Sequence, residues 1–205
     1  MKINKNVNIN KFKYFSTILL LISILTVTVM GCSNSEDIIK TNYENNEEIT
    51  KNLNDEDTIL SLEGYGAKGA LVDKDMSIVD MLMYAAQDEY LAKAEYSAII
   101  EEFNVSRPYS NIMQSEETHL NALRDIYETY KIEFPTDTSK EQLVVPTSLL
   151  EAAKVGVQAE IDNIAMYEYF LSHDLPEDIE SVFNALMKGS INHLKAFQTQ
   201  VDKLS

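Results

Sequence analysis

The stretch "SEETHL" (residues 115–120) carries Glu116 and His119 three positions apart. Residues so spaced share one helix face, so both side chains can reach a single metal ion. "GSINHL" (189–194) repeats the ending with His193, but Ser190 stands where the acid stood. Upstream of each pair an acid sits in a helical run: Glu89 in "DEYLAKAEY" and Glu160 in "AEIDNIAMY". Each is followed seven residues later by a tyrosine, Tyr96 and Tyr167, two turns along the same stripe. The separations are 30 residues from Glu89 to His119 and 33 from Glu160 to His193, as expected of a duplicated hairpin. A Glu on one helix and Glu-x-x-His on the next, given twice, is how a bundle builds a two-metal carboxylate site. The candidate ligands are therefore Glu89, Glu116, His119, Glu160 and His193, with Tyr96, Tyr167 and Ser190 around them.

Ser190 leaves this set one carboxylate short, and Phe183, Leu186, Met187 and Leu194 around it supply no acid. Asn163, one turn after Glu160, offers an oxygen, although an amide is a poor ligand. One Glu-x-x-His in an acidic helical chain is weak evidence alone. The duplication gives it weight. Met81, Met83, Met113 and Met187 read as core packing rather than a thioether site, and His173 as a partner for a helix C-terminus.

The elements that must position these residues are helices. Between Ser77 and Gly156 there is no glycine, and apolar residues recur at helical spacing. The pattern predicts a first helix from Ser77 to about Asn104, and a second entered through Ser106 and Pro108 and running to about Lys131. A third is opened by Thr147 and ends near His173; a fourth starts at Pro176, Glu177 and Asp178 and runs almost to the C-terminus. The first and last connections are short and force antiparallel hairpins. The middle one, "IEFPTDTSKEQLVVP", has 15 residues, enough to travel the length of a bundle. Two hairpins joined by one crossover define an all-α, ferritin-like four-helix bundle.

"EYLAKAEY" is similar to the first-helix motif of rubrerythrins, and "GSINHLKAF" resembles a smaller ferritin-like domain of unknown function often found in exported proteins. The resemblance to the ferritin-like di-iron carboxylate superfamily covers about residues 72 to 204. It implies two iron ions, with manganese or zinc as alternatives, and oxidase or peroxidase chemistry on oxygen or peroxide. It identifies no catalytic residue. The chain has no Cys-x-x-C pair, so turnover would need an external electron donor. Three readings stay open: an asymmetric di-iron or iron–manganese site, a non-redox single-metal site, and a metal-free helical interaction module at the cell surface.

The N-terminus sets the expected location. Residues 1–31 hold four lysines, no acid and the apolar run "YFSTILLLISILTVTVMG", and Cys32 follows at once. This reads as a lipoprotein signal peptide cut before an acylated Cys32, a palmitate-bearing membrane anchor on the extracytoplasmic face, with an uncleaved membrane-spanning anchor as the alternative. Residues 32–71 read as a disordered acidic tether and 72–205 as the folded domain. Cys32 is the only cysteine, which excludes disulfides and thiolate clusters. The net charge is −16, a surface that repels phosphate backbones, so no nucleic-acid partner is expected. A homodimer is compatible with these features.

Overall fold

The computed structural model describes Leu62 and residues 64–205. The expected signal peptide, Cys32 and most of the expected tether lie outside the described residues. Five α-helices follow in chain order: α1 (Gly66–Ala70), α2 (Ile78–Phe103), α3 (Tyr109–Tyr130), α4 (Leu149–Phe170) and α5 (Glu177–Leu204). Among the described residues there is no strand, so the domain is an all-α bundle, as the periodicity predicts.

Helix starts follow local chemistry. Ser77 caps α2 in a capping box: its hydroxyl accepts from the Asp80 amide, and Asp80 accepts from the Ser77 amide at 2.8 Å. At α4 the Ser148 hydroxyl accepts from the Glu151 amide. Glu177, Asp178 and Glu180 place acids in the first turn of α5, where the helix dipole favours them. α2 and α3 both end on a left-handed residue, Asn104 and Lys131.

The direction of the helices follows from their bonds. Tyr96 of α2 meets Glu160 of α4, and Tyr167 of α4 meets Glu89 of α2. Positions that climb in α2 descend in α4, so the two run antiparallel. Residues 131–148 must then travel from one end of the bundle to the other. They do so along α2: Phe134 packs against Tyr90 and Tyr127, Arg124 lies 4.1 Å above the Phe134 ring, and the Tyr90 hydroxyl donates to the Pro135 carbonyl.

Two apolar clusters divide the interior. One joins the start of α2, the ends of α3 and α4 and the start of α5 through Leu82, Tyr127, Phe170 and Phe183. The other occupies the opposite end, with Tyr96, Tyr109, Ala152 and Phe197. Fully burying one large apolar side chain contributes about 1.5–3 kcal/mol. These clusters offset the polar layer between them, where buried charges cost several kcal/mol each unless partnered.

The glycine-rich segment before residue 72, expected as tether, instead includes α1, whose Gly66, Ala67, Gly69 and Ala70 are buried. Its first amides donate to side chains of α2: Gly66 to Gln87 Oε1 at 2.9 Å and Ala67 to Asp88 Oδ1 at 2.8 Å. Gly66 has φ +55°, and a Cβ there would sit 2.7 Å from Asp88, so only glycine permits this approach. The helical periodicity of five residues is too short to read, which is why sequence reasoning placed the boundary at 72.

Candidate metal centre

All five predicted ligands converge in the middle layer. Glu89 is 0 % exposed, Glu116 and Glu160 2 % each, and His119 and His193 8 % and 7 %. Glu89, Glu116 and His119 form one group whose ligand atoms lie within 4.8 Å of one another; Glu116, Glu160 and His193 form a second. Glu116 belongs to both. Its Oε2 is 2.8 Å from His119 Nδ1 and its Oε1 is 3.1 Å from His193 Nδ1. The two imidazoles stack with centroids 5.6 Å apart.

The tyrosines close the layer crosswise. Tyr167 donates to Glu89 Oε1 at 2.8 Å, and Tyr96 donates to Glu160 Oε1 at 2.9 Å. Sequence places each tyrosine on the stripe of its own helix's glutamate; the structure gives each to the glutamate of the other helix. Burial and the nearby carboxylates push both phenols well above their ordinary range, so they remain donors.

The two halves are not equivalent. His119 Nδ1 is within hydrogen-bonding reach of Glu89 Oε2 at 3.0 Å, and both Glu89 oxygens are partnered. In the other half, His193 Nδ1, Glu160 Oε2 and Asn163 Oδ1 are buried without a hydrogen-bond partner. His193 Nδ1 lies at ion-pair distance from two carboxylates, 3.1 Å from Glu116 and 3.5 Å from Glu160, but lacks hydrogen-bond geometry to either. Ser190, 1 % exposed, turns its hydroxyl back to the Leu186 carbonyl at 3.2 Å. Within this cluster, the orphaned atoms therefore collect in the half that contains Ser190's helix. Buried polar atoms are costly when unpaired, and a cation fits this donor set of carboxylate oxygens and imidazole nitrogens.

The protonation pattern has the same origin. Burial and the charge of Glu116 push Glu89 up to about 7. Burial also opposes ionisation of Glu116, but the two imidazoles set against its oxygens outweigh it and hold that carboxyl at about 2. Burial works against the charged imidazoles, yet the surrounding carboxylates raise His119 to about 10 and His193 to about 9. Without a cation, protons on the histidines balance the acids.

Sequence reasoning missed Gly189. A Cβ there would lie 2.5 Å from His119 Cε1 and Nε2, so the His119 ring occupies space that only glycine on α5 leaves open. Its adjacency to Ser190 in "GSINH" was the available signal. His173, by contrast, lies outside the centre, with Nδ1 2.9 Å from the Tyr169 carbonyl at the end of α4.

Fold and site together define an all-helical bundle with a carboxylate–histidine cluster at its core. Residues 78–204 match the family described as "Uncharacterized protein domain (DUF2202)", and the chain belongs to that family. It is 30 % identical over 131 residues to the uncharacterized protein MJ0754 of Methanocaldococcus jannaschii, covering 57 % of this chain and 70 % of the relative. The crystal structure of hypothetical protein MJ0754 from Methanococcus jannaschii superposes with a TM-score of 0.56 at 26 % identity, over 64 % of this chain and 85 % of that one.

Proposed function

We propose that this chain is a ferritin-like metalloprotein whose central layer holds two ions, iron foremost, for redox chemistry on dioxygen or peroxide. The observation that carries the reading is Glu116, whose two oxygens face the Nδ1 atoms of both histidines. Glu89, Glu116 and His119 would hold one ion; Glu116, Glu160 and His193 would hold the other. Bound iron supplies electron exchange with the oxidant. The protein's own part is positional: Tyr96 and Tyr167 fix the terminal carboxylates, the apolar clusters exclude water on either side, and Ser190 keeps one position beside the ions free of a protein carboxylate. Loading must displace the protons that His119 and His193 hold in the absence of metal. Electrons come from a separate protein or small reductant, since Cys32 is the only cysteine.

Anaerobic titration of protein purified without a histidine tag tests this. Up to two ferrous ions per chain should bind, and oxygen or peroxide should then produce a new near-ultraviolet absorption band. One tight zinc and no iron-dependent spectrum would favour the single-metal reading; no stoichiometric metal would leave the interaction module.

The same reading places the domain on the outer face of the cell membrane through an acylated Cys32. No described helix is long and apolar enough to cross a membrane, and the anchor assigned here lies upstream of those residues. Mass spectrometry should find lipidated, processed protein, and Cys32→Ala should abolish that mass.

A further inference from the structure

Ser115 and Gly189 enclose the edge of the His119 ring that faces away from the carboxylates. Nδ1 of that ring lies 3.0 Å from Glu89 Oε2 and 2.8 Å from Glu116 Oε2. Nε2, on the other side of Cε1, lies 3.4 Å from Ser115 Oγ, one turn earlier on α3. Residues four apart share a helix face, so the helix itself sets the serine beside its histidine. From α5, Gly189 leaves the space into which Cε1 and Nε2 project, since a Cβ there would lie 2.5 Å from both atoms. The ring is thus addressed at both nitrogens, by acids at one and by a hydroxyl at the other.

The second hairpin lacks this arrangement. The offset of 74 residues that relates His119 to His193 and Glu116 to Ser190 also relates Ser115 to Gly189. His193 therefore has a glycine where His119 has its serine. The next residue, Ser190, spends its hydroxyl on the Leu186 carbonyl. His193 Nδ1 lacks hydrogen-bond geometry to either carboxylate near it. One change in the repeat thus acts on both halves: glycine withholds a hydroxyl from His193 and makes room for the ring of His119.

We propose that Ser115 is a positioning residue of the metal centre: its hydroxyl accepts a hydrogen bond from Nε2 of His119 and so keeps Nδ1 turned to an ion held by Glu89 and Glu116. The inference rests on the two-ion reading above. A neutral imidazole carries one proton, and when Nδ1 is the ligand that proton sits on Nε2. Ser115 Oγ is the acceptor placed to receive it.

NMR of the histidine ring nitrogens in the full chain loaded with zinc(II) reads the ring directly. In the wild type, His119 should bind zinc through Nδ1 and keep a proton on Nε2 whose exchange with water is slowed. Ser115→Ala should speed that exchange and weaken one of the two cobalt(II) binding steps about tenfold, the low end for loss of such support because 3.4 Å is a long hydrogen bond. Ser115→Thr keeps the hydroxyl and should restore both. Thr118→Ala removes a hydroxyl bonded to the Gln114 carbonyl on the same helix and should change neither. Zinc on Nε2 of His119 in the wild type, or wild-type exchange and affinity in a folded Ser115→Ala protein, would overturn the role of Ser115 while leaving two-ion binding intact. A wild-type chain that binds neither metal would overturn both readings.

Discussion

Tyr96 donates to Glu160 Oε1 across 2.9 Å, from α2 to α4, and Tyr167 returns the same bond from α4 to Glu89. Each bond joins the two helices and fixes the rotamer of a proposed ligand. Tyr96→Phe and Tyr167→Phe should therefore each lower metal affinity by about 10- to 100-fold, as loss of outer-shell support does. Each should also cost about 1–3 kcal/mol of stability by leaving a buried carboxylate oxygen unpaired. Metal titration and urea denaturation read the two effects separately. Unchanged affinity in both variants would remove the tyrosines from the site.

Gly189 and Gly156 separate metal binding from packing. A Cβ at Gly189 would meet the His119 ring at 2.5 Å, whereas one at Gly156 would meet the Phe197 ring at 2.9 Å. Gly189→Ala should displace the proposed ligand His119, and Gly156→Ala should displace only core. Both are expected to destabilise by about 1–3 kcal/mol, the usual range for overpacking. Only Gly189→Ala should also weaken cobalt(II) binding, and equal weakening in both would show that affinity merely follows stability.

Those two glycines mark where sequence reading stops. Helix ends fixed by local chemistry were legible: Ser77 with Asp80 is a cap recognisable from four consecutive residues. The convergence of Glu89, Glu116, His119, Glu160 and His193 was legible because helical spacing is a local rule and the hairpin is duplicated. The exchange of tyrosines between helices was not, since periodicity gives the face a residue occupies and not the neighbour across it. Gly189 makes room for a side chain on another helix, and α1 is docked by Gln87 and Asp88, roughly 20 residues downstream. Both depend on tertiary contact, which no short stretch of sequence encodes.

Proton uptake by the histidines gives a pH prediction for the chelated protein. His119 at about 10 and His193 at about 9 stand above the ordinary 6.5, so folding binds protons. Their contribution to stability is fully present below about pH 6.5 and is lost as pH rises through about 9 and 10. Glu89, raised to about 7, acts in the same sense over a lower range. Thermal denaturation with a chelator should show a falling midpoint as pH rises from about 6.5 to 9. Metal needs neutral imidazoles, so the stabilisation added by cobalt(II) should grow over the same interval. A metal increment that shrinks toward high pH would rule out the histidines as ligands.

Ser190 is the position at which the duplicated pattern is broken, and its burial lets the break be repaired. The side chain is 1 % exposed, lies one turn before His193 on α5, and spends its hydroxyl on the Leu186 carbonyl. Ser190→Ala removes only that bond and should leave metal affinity nearly unchanged. Glu160→Ala and His193→Ala remove proposed ligands and should lose the ion of that half. Ser190→Glu adds a carboxylate to the half that contains the unpartnered His193 Nδ1, Glu160 Oε2 and Asn163 Oδ1. In the metal-free protein the added charge should destabilise, because a fourth buried acid joins three. With metal the order should reverse, giving tighter retention of the second ion and slower turnover of peroxide, since the position left free by serine is then filled. Metal retention after dialysis, read beside the denaturation midpoint with and without metal, checks both halves of the statement. Loss of both ions in a folded Ser190→Glu protein would mean that residue 190 does not face them.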